Sequence, residues 1–224
     1  MKNTIEFLRK LDQNNNREWF QKNKEIYEES HEEMIRFADR LILEMNNHDD
    51  IETSSGKKSL FRIYRDVRFG TDKTPYKTNW AGWLKRATSE LRGGYYYQIG
   101  PEGSFVMGGF FGPNPKDLVH IRKQIAQNPD HLRQVTHSKQ FVDFFGELRG
   151  TKLKTVPRGF NKEDPAIDLL RYKQYIVSHD FTNEEVLKKD FPVTVSDAFQ
   201  QMRSFFDYMS DILTSDLNGR SILQ

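Results

Sequence analysis

From Asn16 to Asn46 the apolar residues Trp19, Phe20, Ile26, Tyr27, Met34, Phe37, Ala38, Leu41 and Met45 return at intervals of three and four. That is the period of a helix with one face toward a core, so the spacing predicts one long amphipathic helix, N-capped by Asn16. A shorter helix around Thr4 to Leu11 precedes it, with Asn14-Asn15-Asn16 as the break. Residues 47 to 59 carry no period and predict an exposed, flexible loop.

The pattern then shortens. Leu60 to Arg65, Trp80 to Arg86, Tyr95 to Ile99 and Ser104 to Phe111 read as strands, the last two joined by a Gly100-Pro101-Glu102-Gly103 hairpin turn. Asn114-Pro115 and Asn128-Pro129 each set a cap and a first-turn proline before a helical pattern. Short strands are expected at Lys152 to Val156 and Gln174 to Ser178, around a helix at Pro165 to Arg171. A helix over Val193 to Leu213 closes the chain. Helices, then strands joined by turns without intervening helices, then helices again predict an α+β fold: a mainly antiparallel sheet flanked by long amphipathic helices. At 224 residues the expectation is a single domain over 1-224.

Composition narrows the chemistry more than it names it. The chain has no cysteine, which excludes disulfides, a thiolate nucleophile and cysteine-ligated metals. The six histidines show no paired ligand spacing, so no sequence-local metal site is expected, and no Gly-x-Ser-x-Gly elbow surrounds Ser104. No apolar run reaches the length of a membrane span and the N-terminus lacks an apolar signal core, which reads as a cytoplasmic protein with no membrane partner.

Net charge is only +2, but it is unevenly placed. Residues 57 to 92 hold ten basic and three acidic side chains, whereas residues 1 to 56 hold eight and thirteen. At the centre of the basic stretch lie Phe61-Arg62-Ile63-Tyr64-Arg65-Asp66-Val67-Arg68-Phe69 and Asp72-Lys73-Thr74-Pro75-Tyr76-Lys77. As a strand this segment sets Phe61, Ile63, Val67 and Phe69 on one face and Arg62, Tyr64, Asp66 and Arg68 on the other. Arg65 then points to the apolar side. It needs an acid such as Glu18 or Glu25, or a bend near Asp66.

Arg62, Arg65, Arg68, Lys73 and Lys77, with Tyr76 and the Gly108-Gly109 backbone, are the expected ligands of an anion-binding pocket for a phosphate- or carboxylate-bearing small molecule. As a carboxylate pair Asp66 and Asp72 offer a general acid and base or a hold for a divalent metal, but the stronger reading makes each the neutralising partner of an adjacent Arg or Lys, because a carboxylate among cations has a lowered pKa and is a poor general base. Two alternatives stand beside this reading. The charges form an internal salt-bridge network, or, with Trp80 and Trp83, a basic surface that associates with nucleic acid. Nothing in the residues names a reaction or a cofactor.

The same segments carry a resemblance. Asn15-Asn16-Arg17-Glu18-Trp19-Phe20, the Phe61 to Lys77 motif, Gly94-Tyr95-Tyr96, Gly108-Gly109 and Pro157-Arg158-Gly159-Phe160 are similar to the successive motifs of a widespread bacterial and fungal domain-of-unknown-function family. The resemblance implies one full-length α+β domain in a cytoplasmic protein. It brings no activity, cofactor or catalytic residue.

Overall fold

The computed structural model describes residues 1–68 and 71–223. Phe69, expected on the apolar face of the first strand, lies outside the described residues. The fold is α+β, with eleven helices and four strands among the described residues. In chain order these are α1 (Lys2–Gln13), α2 (Arg17–Lys22), α3 (Lys24–Met45), α4 (Gly56–Ser59), β1 (Trp80–Lys85), β2 (Gly94–Ile99) and β3 (Ser104–Phe110). Then follow α5 (Pro115–Gln127), α6 (Pro129–Thr136), α7 (Lys139–Phe145), α8 (Ile167–Leu170), β4 (Tyr175–Phe181), α9 (Asn183–Val186), α10 (Phe191–Gln200) and α11 (Arg203–Thr214). The strands form one antiparallel sheet in the order β1-β2-β3-β4.

By its internal contacts the chain divides into two compact units. One comprises Met1–Lys85, Tyr96–Val106 and Asp180–Ala198; the other comprises Arg86–Tyr95, Met107–His179 and Phe199–Gln224.

In the first unit α1, α2 and α4 pack on α3, and α4 also meets β1. Phe7, Leu8 and Leu11 of α1 are buried together with Met34, Ala38 and Leu41 of α3, the Phe, Leu and Met side chains each contributing roughly 1.5–3 kcal/mol by leaving water. Asn16 caps α2 as expected, accepting the Trp19 N–H at 2.9 Å. The expected single helix is nevertheless broken at Asn23, whose side-chain amide donates to the Trp19 carbonyl and ends α2. Side-chain to backbone bonding of this kind competes with helix continuation, and apolar periodicity does not register it.

The expected exposed loop at 47 to 59 is anchored at three points. Asp49, Gly56 and Ser59 are buried, and the Gly56 N–H donates to Asp39 Oδ1 on α3. A Cβ at Gly56 would collide with the carbonyl oxygen of Ile35. Glycine is required there by close approach, which a polar and aperiodic stretch conceals.

Leu60 to Arg65 is not a continuous strand. It makes two isolated bridges, Leu60 to Gly82 and Tyr64 to Tyr76. Residues 61–63 lie between the bridges on one side and 77–81 on the other, so two extra residues bulge out of the second segment. The chain leaves the paired geometry after Arg65, where Asp66 Oδ1 accepts the Arg68 N–H at 3.2 Å.

In the second unit α11 packs on α5 and α6, while α5 meets α8. Tyr95 is buried against Phe199 and Phe206, with ring centroids 4.7 and 4.9 Å away. Asn114 caps α5 through the Asp117 N–H at 2.9 Å, whereas Asn128 makes no side-chain cap to α6. Two expected strands shrink or shift. Lys152 makes only an isolated bridge to Tyr172, and β4 runs on to Phe181. The helix expected from Pro165 to Arg171 is confined to Ile167–Leu170, and the closing helix is split into α10 and α11.

Candidate functional site

The bulge beside the Leu60 and Tyr64 bridges opens a cleft of about 520 Å³ in the first unit. Its lining comes from three places. Phe61, Arg65 and Asp66 form one wall; Lys77, Thr78 and Asn79 come from the bulge; Ala81 of β1 and Tyr96 and Gln98 of β2 complete it. Tyr96 and Gln98 are two apart on a strand and therefore share a face, while the flanking Tyr95 and Tyr97 point the other way and are buried. Backbone bonds hold the walls together: Phe61 N donates to Ala81 O at 2.9 Å, Lys77 N to Ile63 O at 2.8 Å, and Arg65 N to Pro75 O at 2.9 Å.

An anchor outside the cleft sets this geometry. Asn15 donates from Nδ2 to the Tyr76 carbonyl at 3.0 Å and accepts the Tyr76 N–H on Oδ1 at 3.1 Å, acting as one more backbone partner. Tyr76 is buried, its ring stacked on Phe20 at 4.0 Å and packed against Tyr64. Tyr76 thus holds the loop to α2, with its ring in the core.

Of the expected ligands, the structure brings Arg65, Asp66 and Lys77 to the cleft, and the others lie outside its lining. Arg65 Nη1 donates to Asp72 Oδ2 and to Thr74 Oγ1 at 2.7 Å. Its Nε and Nη2, the fork that grips oxyanions bidentately, have no partner among the described residues. Asp72 also accepts the Thr74 N–H at 2.9 Å and hydroxyl at 2.8 Å. These two bonds from Thr74, then Arg65, hold its carboxyl below the usual carboxylate range.

Arg68 forks onto Asp66, Nε to Oδ1 at 2.9 Å and Nη2 to Oδ2 at 2.7 Å, which lowers the Asp66 pKa. Lys73 Nζ donates to the Val67 carbonyl at 2.8 Å. Arg62 is exposed. The acid partners of Arg65 and Arg68 come from their own loop, and neither Glu18 nor Glu25 is among those partners.

Lys77 is different. It is half-buried, its ammonium lies 5.7 Å from the Phe61 ring centroid, and no carboxylate among the described residues pairs with it. Burial, then the nearby charges of Arg62 and Arg65, push its pKa down.

The remaining expectations fall elsewhere. Gly108 and Gly109 face Met202 and the Tyr175 backbone, where a Cβ would collide, so they serve close packing and do not line the cleft. Trp80 is buried, bonded to Ser30 Oγ at 2.9 Å and stacked 5.2 Å from His31, which removes it as a stacking surface. Arg86, from the same basic stretch, is buried in the second unit, 5.2 Å from the Phe206 ring and donating to the Arg92 carbonyl at 2.9 Å. Arg92 in turn pairs with Asp117 at 2.7 Å.

Asn15, Asn79 and Gln98 were missed as contributors. Only Gln98 was reachable from the pattern, through its alternation with Tyr96. Among the described residues no group of three or more His, Asp or Glu could hold a metal ion, and no helix is long and apolar enough to cross a membrane.

Comparison with curated proteins and with solved structures returns no match. Residues 3–208 match the family model described as "Conserved hypothetical protein (DUF2461)". With nearly the whole chain inside that match, the protein belongs to the DUF2461 family of conserved hypothetical proteins, a domain of unknown function.

Proposed function

We propose that the cleft binds an anionic small molecule bearing a phosphate or carboxylate, with Lys77 and the Nε–Nη2 fork of Arg65 as its cationic ligands. The observation that carries this reading is the state of Lys77: a half-buried ammonium without a carboxylate partner among the described residues, facing other cations. Holding such a charge is unfavourable, and a guest of opposite sign relieves it. The Asp66–Arg68 and Asp72–Arg65 pairs support the reading in a second way, because they shape the loop while leaving Lys77, whose ammonium lies over the Phe61 ring, and part of Arg65 without a carboxylate among the described residues. Those same pairs, with the bond from Lys73 to the Val67 carbonyl, also favour a structural network as the role of Arg68, Asp72 and Lys73.

The test is ligand-induced stabilisation, which grows with the logarithm of ligand concentration once binding begins. Inorganic phosphate and a panel of metabolite phosphates and carboxylates should raise the melting temperature of the wild type, and Lys77→Met should abolish the rise. If no anion shifts the wild-type melting temperature, the reading is wrong.

A further inference from the structure

The cleft offers more than charge. Phe61 is 43% exposed, and it forms the wall beside Lys77. Tyr96 lies next to it, ring centroids 6.3 Å apart and 32° from parallel. Two primary amides converge on the same space. Gln98 accepts the Tyr96 hydroxyl on Oε1 at 3.0 Å, which orients its NH₂ as a donor. Asn79, on the bulge, has no side-chain partner among the described residues, and neither has the Thr78 hydroxyl.

A simple inorganic anion uses none of these features. An exposed aromatic ring, two amides able to read a ring edge, and a cation beside them match the three parts of a nucleotide: base face, base edge and phosphate. The Lys77 ammonium lies over the Phe61 ring, 5.7 Å from its centroid, so a ligand that stacks on the open part of the ring brings its phosphate beside the ammonium. The volume of about 520 Å³ falls inside the usual range of small-molecule sites.

Building on the anion reading above, we infer that the cleft is a mononucleotide site, in which Phe61 stacks on the base, Asn79 and Gln98 read its edge, and Lys77 with Arg65 holds the phosphate. A free mononucleotide is favoured over a nucleotide within a strand, because Arg68, which would extend a cationic track along the loop, is charge-paired with Asp66.

Calorimetric titration of the full chain with AMP, UMP, adenosine, ribose 5-phosphate, inorganic phosphate and a short oligothymidylate separates the possibilities. AMP or UMP should bind roughly five- to a hundredfold more tightly than ribose 5-phosphate. Phe61→Ala, at a position open enough to leave folding intact by its melting curve, should erase that advantage and preserve phosphate affinity. Lys77→Met should weaken every phosphate-bearing probe and leave adenosine unchanged. Equal binding of AMP and ribose 5-phosphate, with Phe61→Ala silent, overturns the nucleotide inference while the anion reading stands. Binding of the oligothymidylate alone overturns it in favour of a strand, and no binding by any probe overturns it together with the phosphate half of the anion reading, leaving the carboxylates to the stabilisation panel.

Discussion

Lys77 is the titrating group on which the proposed anion binding turns. Burial, Arg62 and Arg65 all disfavour its protonated form, so its folded pKa lies below the ordinary 10.5. The unfolded chain holds this proton more tightly, so Lys77's contribution to stability improves as pH rises from the lowered pKa toward 10.5. Binding runs the opposite way. A bound anion needs the ammonium, so affinity is full below the lowered pKa and is lost as pH climbs through it. Titrating sulfate, whose charge is constant, from neutral to about pH 10 should show affinity falling before the ordinary lysine pKa is reached. Lys77→Arg should move that fall upward, and a flat profile in both proteins would separate Lys77 from the site. Asn15 illustrates a different residue-scale device. Its amide bonds both backbone groups of Tyr76, contributing about 0.5–1.5 kcal/mol per bond, and holds the cleft's loop from a distance in sequence.

At the scale of elements, the cleft exists because two segments that pair at Leu60–Gly82 and Tyr64–Tyr76 have unequal lengths between those bridges. The surplus pushes Lys77, Thr78 and Asn79 out of strand register and into the lining. A regular hairpin would have alternated them across two faces. Just before this segment, α4 is fixed to α3 by Gly56, whose N–H bonds Asp39 and whose missing side chain lets the backbones touch. Gly56→Ala should therefore cost ~1–3 kcal/mol in denaturant melts, because the obstruction is backbone and cannot rotate away. An unchanged midpoint would mean that the 47–59 segment is held far more loosely than its packing indicates.

For the whole molecule, the small net charge matters more than the basic stretch alone suggests. Five of the ten cations of residues 57 to 92 are buried or paired within the protein. Arg86 is buried and Arg92 is paired with Asp117 in the second unit, Lys85 meets Glu52 at 2.5 Å, and Arg65 and Arg68 pair within their loop. What is left to attract a guest is local. A polynucleotide held through six or more phosphates loses about a thousandfold or more in affinity between 50 and 200 mM salt. A mononucleotide gripped by two cations should lose far less. Fluorescence anisotropy with a labelled oligonucleotide should accordingly show no saturable binding near ~0.15 M salt, where exposed charges are screened beyond about 8 Å. Saturable binding there would point to a continuous cationic surface.

The amino-acid sequence alone determined the class of the fold, the hairpin of β2 and β3, the caps at Asn16 and Asn114, and the segment on which the cleft is built. Each of these rests on period, turn chemistry or local charge, which are properties of neighbouring residues. The break at Asn23 is also local, but it arises from a side-chain to backbone bond that apolar spacing leaves unmarked. Tertiary structure alone decided that 47 to 59 packs on a helix, that Tyr76 turns into the core, and that Arg65 and Lys77 meet Phe61, Tyr96 and Gln98 around one space. Those outcomes depend on pairing across long sequence separations: Asn15 with Tyr76, Gly56 with Asp39, Leu60 with Gly82. A short window of residues constrains its own backbone, but which distant carbonyl it meets, and with how many residues left over, is settled only when the chain closes on itself.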